Sequence, residues 1–105
     1  MKLKLQKNLM EFKLSQEEKL ELNISGQSLV EKIILPDNKG ITYSIVLISD
    51  EKEKFDFSHN KVILSIPWKK FKELEIPGKK GISFEFDSLI VTVVVDLFPR
   101  KKNDN

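Results

Sequence analysis

Two short runs near the start of the chain alternate apolar with polar residues, Leu3-Lys4-Leu5 and Met10-Glu11-Phe12-Lys13-Leu14. A period of two puts one face of each run on a core and the other in water, as in half-buried strands. Lys7-Asn8 between them reads as a tight hairpin turn, because Asn tolerates the left-handed backbone that such turns need. Ser15-Gln16-Glu17-Glu18 then opens a helix: a capping serine stands three residues before a glutamate whose carboxylate can return to the serine amide. Leu14 before the cap, with Leu20 or Leu22 beyond it, would pin the helix to the strand layer. Ser28 to Leu35 and Ile41 to Ile48 follow as strands around the loop Pro36-Asp37-Asn38-Lys39-Gly40.

The order then returns. Leu3 to Ile34 matches Phe55 to Phe86 at an offset of fifty-two, with Asn8 on Asn60, Glu21 on Glu73, Leu22 on Leu74, Ile24 on Ile76 and Gly26 on Gly78. Apolar positions coincide as well: Leu3 with Phe55, Leu5 with Phe57, Met10 with Val62, Phe12 with Leu64, Leu14 with Ile66, and Val30 with Ile82. In the second copy Pro67 takes over the helix start, where its missing amide costs nothing. Trp68, Phe71 and Leu74 follow at helical spacing as an apolar stripe, which favours a core or half-buried packing role for Trp68 over that of a recognition aromatic. Gly81 to Phe86 and Leu89 to Leu97 are the last strands, joined by Asp87-Ser88, a loop about four residues shorter than its counterpart. Allowing for that difference, Ile41, Tyr43, Ile45 and Leu47 align with Leu89, Val91, Val93 and Val95.

A repeat of this size is one supersecondary unit used twice. The fold expected is α+β: two strand-strand-helix-strand-strand units, about 1–49 and 54–100, forming one mainly antiparallel sheet with two short helices, barrel-like if its edges meet. The charged string Asp50 to Lys54 joins the copies, and 101–105 is a short polar tail. Units of this size bury too little surface to stand alone, so both should share one core in a single domain. The pseudo-twofold relation would take the place of dimerisation and leave a monomer.

Composition narrows the class further. Apolar residues make up 40% and charged residues 32%, the balance of a globular chain. No apolar run approaches the roughly 18 residues a membrane helix needs, and the Met-Lys-Leu-Lys start is unlike a secretory signal, so a cytoplasmic location without membrane contact is expected. With no cysteine, disulfides and thiolate chemistry are excluded. The net charge of +2 is a mild bias.

Candidate chemistry is sparse. His59, the only histidine, precedes the Asn60 turn; Asp56 and Ser58 are near in number, but alternate residues on a strand face opposite ways. An exposed turn histidine is the plainer reading, and an enzyme using His59 ranks third among the functions considered. Asp96 interrupts an apolar strand and would mark where its face reaches solvent. Four glycines, all near turns or helix ends, leave no phosphate-binding loop, and no cofactor or metal set is expected. The remaining candidate surface is basic: Lys69, Lys70, Lys72, Lys79 and Lys80, able to contact a partner or DNA phosphates if they merge on one side. Bidentate base reading usually relies on arginine, of which there is one, Arg100.

Two resemblances bear on this. Lys2-Leu3-Lys4-Leu5 with Asn8, Phe12 to Glu18, Gly26 to Glu31, Tyr43-Ser44-Ile45, Val62 to Pro67 and Gly81-Ile82 together resemble a family of small bacterial proteins of about this length, which has no assigned activity. That likeness implies the fold and transfers no function. Val62-Ile63-Leu64-Ser65-Ile66-Pro67, a helix reaching Leu74, then Ile76 and Gly78 before a hairpin, looks like the AbrB-type swapped-hairpin unit, which implies a DNA-binding regulator whose two halves lie in one chain. The readings expected are therefore a non-enzymatic module for a protein partner first, and an AbrB-like DNA-binding regulator second.

Overall fold

The computed structural model describes residues 1–25 and 28–96. Expectations that fall on Gly26, Leu97, Arg100 and the tail 101–105 lie outside the described residues. The elements run β1 (Lys2–Gln6), β2 (Leu9–Leu14), α1 (Gln16–Ser25), β3 (Leu29–Leu35), β4 (Lys39–Ile48), β5 (Lys54–Ser58), β6 (Lys61–Pro67), α2 (Trp68–Phe71) continued by a 3-10 turn over Lys72–Glu75, β7 (Gly81–Phe86) and β8 (Leu89–Val95). The α+β class and the two short helices are as expected.

The sheet arrangement corrects the expectation. There are two four-stranded sheets, ordered β1-β2-β8-β7 and β3-β4-β6-β5, and they do not close into a barrel. Closure would need an outer strand of one sheet to pair with an outer strand of the other. Instead β1, β7, β3 and β5 are edges, and each sheet buries one face against the other. Pairing is antiparallel within each hairpin and parallel at each centre, β2 with β8 and β4 with β6. Every sheet thus takes one hairpin from the first half of the chain and one from the second.

The core follows from strand alternation. Phe12 and Leu14 of β2, Val91, Val93 and Val95 of β8, and Ile82 and Phe84 of β7 meet Tyr43 and Ile45 of β4 and Val62, Leu64 and Ile66 of β6 in a single cluster. Burying each such side chain contributes roughly 1.5–3 kcal/mol. Phe12 and Tyr43 touch across the sheets with ring centroids 6.2 Å apart, and Phe55 and Phe86 do so at 5.5 Å. Burial raises the Tyr43 phenol above its usual value, with Glu31 and Glu18 adding to the shift. The phenol so held donates to the Met1 carbonyl at 3.0 Å.

The Ser15 capping box forms: the Ser15 amide donates to Glu18 Oε1 at 2.9 Å and the Glu18 amide donates to Ser15 Oγ at 3.1 Å. Of the two leucines considered for pinning α1, Leu22 is the buried one and Leu20 is half exposed. Pro67 ends β6 and stands at the N-cap of α2. Gly81 of β7 leaves no room for a side chain beside β8, since an added Cβ would lie 2.8 Å from Val94 Cγ1 and 2.9 Å from the Val93 carbonyl oxygen.

Two further details differ from the sequence reading. The first long hairpin loop is only Pro36 to Asn38, because Leu35 pairs with Lys39 and Ile34 with Gly40. And Val30 does not correspond to Ile82: Val30 is 58% exposed and Ile82 5%. The inward positions of β3 are Leu29 and Ile33, which lean on the core cluster. From the buried helix leucine to the first inward strand residue the chain advances seven positions in the first half, Leu22 to Leu29, and eight in the second, Leu74 to Ile82, so the inward parity is shifted by one.

Candidate functional site

The five basic residues lie between Lys69 and Lys80, and three of them meet different neighbours. All five are exposed. Lys70 Nζ lies 5.9 Å above the Phe84 ring of β7, in the first sheet. Lys72 Nζ, two residues on and so on the other side of the short helix, lies 5.1 Å above the Trp68 ring. Lys79 Nζ pairs with Glu73 Oε1 at 3.2 Å, which offsets its charge. Lys69 is on the outer side of α2 and Lys80 just before β7.

His59 occupies the first turn position between β5 and β6, with φ 53° beside Asn60 at φ 61°, and is exposed. Ser58 Oγ donates to Asp56 Oδ2 at 3.1 Å on the shared face of β5. Among the described residues no hydrogen bond joins His59 to either. Asp96 is half-buried, and its amide extends the β2–β8 ladder by donating to the Leu14 carbonyl at 2.8 Å. No cluster of His, Cys, Asp or Glu that could hold a metal ion is present among the described residues.

What the structure builds is an open cleft of about 330 Å³ between the C-terminal end of α1, the end of β4 and the start of α2. Its apolar walls are Leu22, Ile24, Leu47, Ile48 and Trp68; Asn23, Ser49 and Lys72 supply its polar mouth. Pairing of β4 with β6 ends at Ile48 opposite Pro67, so Trp68 is the first residue past the sheet and stands over the cleft instead of between the sheets. It is 43% exposed, whereas Phe71 and Leu74 of the same stripe are buried. Ile24, also in the lining, is 83% exposed. Beside it, Asn23 donates to Glu75 Oε2, and Lys19 Nζ lies 3.9 Å from the same oxygen.

The sequence pattern gives Trp68 a core or half-buried packing role, and it marks Ile24 and Leu47 only as matched positions of the repeat and Ile48 only as a strand end. A signal for Ile24 was present: Leu20, Leu22 and Ile24 are apolar at steps of two. Steps of two turn a helix by about 200°, so no single face can bury all three.

No known family, no curated protein and no solved structure matches this chain. Its function therefore rests on the geometry above. Among the described residues no helix is long and apolar enough to cross a membrane.

Proposed function

We propose that the protein is a non-enzymatic module that docks a protein partner on the helix-bearing surface around the Trp68 cleft. The observation that carries this is the set of exposed apolar side chains at one cleft, with Ile24 and Trp68 both in its lining and Leu20 half exposed one helical turn before Ile24. Contiguous exposed apolar surface is costly to a free protein and marks interaction sites. A photo-crosslinking residue placed at position 24 should give discrete adducts in the source cell, while the same residue at Val30, apolar and 58% exposed on β3, should not. Ile24→Asp should abolish cross-linking from a probe at Trp68 with little change in thermal unfolding, because an exposed substitution shifts stability by only about 0.5 kcal/mol. Equal adducts from positions 24 and 30 would count against the assignment.

Duplication of one ancestral unit accounts for the scaffold. Its support is the register: Lys2 pairs with Lys13 and Lys54 with Ser65, each partner fifty-two positions on, and the parallel pair Leu9 with Ile90 maps onto Lys61 with Thr42. Asn23 and Glu75, also fifty-two apart, touch each other, as residues beside a twofold axis would. Matched penalties for the same substitution at Asn8 and Asn60 are its test.

A second reading, an AbrB-like DNA-binding regulator acting through Lys69, Lys70, Lys72, Lys79 and Lys80, has one observation in its favour. Hairpins from the two halves exchange partners at the parallel centre of each sheet, the arrangement that the swapped-hairpin resemblance implies. DNA binding followed as a function of salt tests it.

A further inference from the structure

Resting on the partner-docking reading, we infer that the Trp68 cleft takes an acidic peptide segment: an apolar anchor side chain on the floor and a neighbouring carboxylate at Lys72. At about 330 Å³ the cleft lies at the small end of ligand-sized clefts, about 300–1,000 Å³, and suits an anchor side chain better than a folded surface. Its floor, Leu22, Leu47 and Ile48, offers such an anchor no charged group to desolvate.

The charge class follows from Lys72, the one charged residue among those that line the cleft. Lys19 lies near Glu75, Lys54 pairs with Asp50 and Lys79 with Glu73. Lys72 has no carboxylate within ion-pair distance among the described residues; its ammonium rests over the Trp68 ring. A ring face holds a cation in place without cancelling its charge. Glu75, which Asn23 of the lining contacts, is also engaged by Lys19. An incoming carboxylate would therefore meet a positioned, unneutralised cation beside an apolar floor, whereas a basic segment would meet repulsion. The apolar surface continues past the cleft from Ile24 to Leu20, half exposed one helical turn back, farther than a small acid would cover, which favours a peptide as its source. Fifty-two positions before Trp68 and Lys72 stand Gln16 and Leu20, so the first helix lacks this aromatic-cation pair.

Trp68 is the only tryptophan, so its emission reports on this cleft alone. The purified full chain is titrated with three capped peptides, Gly-Leu-Phe-Glu-Glu-Gly, Gly-Leu-Phe-Gln-Gln-Gly and Gly-Leu-Phe-Lys-Lys-Gly. A saturable blue shift that is strongest for the glutamate peptide is expected. In Lys72→Glu, whose fold is checked by its melting curve, the glutamate peptide should weaken by at least about fivefold and the lysine peptide should gain. Equal binding of all three peptides, or a preference that Lys72→Glu leaves unchanged, overturns the acidic class while leaving the docking reading intact. No saturable response to any peptide, with cross-linking at position 24 retained, overturns the cleft as the anchor site. The same silence with cross-linking lost overturns both readings.

Discussion

Glu18 is reached by two strong donors, the Ser15 amide at Oε1 and the Met1 ammonium at Oε2, the latter at 2.5 Å. Burial pushes its carboxyl up, but the hydrogen bond from the Met1 ammonium, the bonds from Ser15 and the ammonium's charge together outweigh burial, and its value falls below the usual 4.5. A lowered folded-state value means the carboxylate stabilises the fold above its unfolded pKa, and the contribution disappears as pH falls through the folded value. Glu18→Gln keeps a capping side chain but removes the ion pair. Urea midpoints should therefore separate the two proteins near pH 6 and converge as acid brings the wild type through that window; a constant gap would contradict the linkage. This cap was legible in the sequence because its partners are three residues apart. The position of Trp68 was not, since helical spacing says which residues share a side but not where the sheet beneath them ends.

At the level of elements, turn chemistry was the most readable feature. Asn8 and Asn60 both adopt positive φ, 63° and 61°, in two-residue hairpin turns closed by Gln6-Leu9 and Ser58-Lys61. Left-handed backbone costs an ordinary residue roughly 1–2 kcal/mol, and glycine nearly nothing. Asn8→Ala and Asn60→Ala should each lower the unfolding free energy by roughly 1 kcal/mol, and the two glycine variants should be tolerated, as read from denaturant curves. A large penalty at one asparagine and none at the other would speak against the equivalence of the two hairpins. The orientation of β3 was harder to read, because Leu29, Val30, Ile33, Ile34 and Leu35 are apolar on both parities and alternation cannot choose between them. The shorter connection before β3 chose instead, and it left Val30 and Ile34 outward, 58% and 79% exposed.

Across the whole molecule, three of the five lysines have different neighbours: Lys70 lies over Phe84 of the first sheet, Lys72 over Trp68, and Lys79 is paired with Glu73. Affinity for phosphates grows with the number of cations that reach them together, and it falls with salt in proportion. Anisotropy titrations with mixed duplex DNA should accordingly show weak binding that is lost near physiological salt. Binding that persists there, and that falls on replacing Lys69, Lys70, Lys72, Lys79 and Lys80 with alanine, would transfer the function to the DNA-binding reading. The sequence carried the two-unit element order in its fifty-two-residue offset, but not the division into two sheets. Partner choice between hairpins depends on contacts far apart along the chain, about which local periodicity is silent. That choice also runs against the direction of synthesis. The ribosome makes β2 almost first and β8 last among the described strands, yet they are neighbours at the middle of one sheet. Phe12 and Leu14 must wait for Val93 and Val95, so the nascent chain carries an unfinished apolar edge until nearly all of the described chain has emerged.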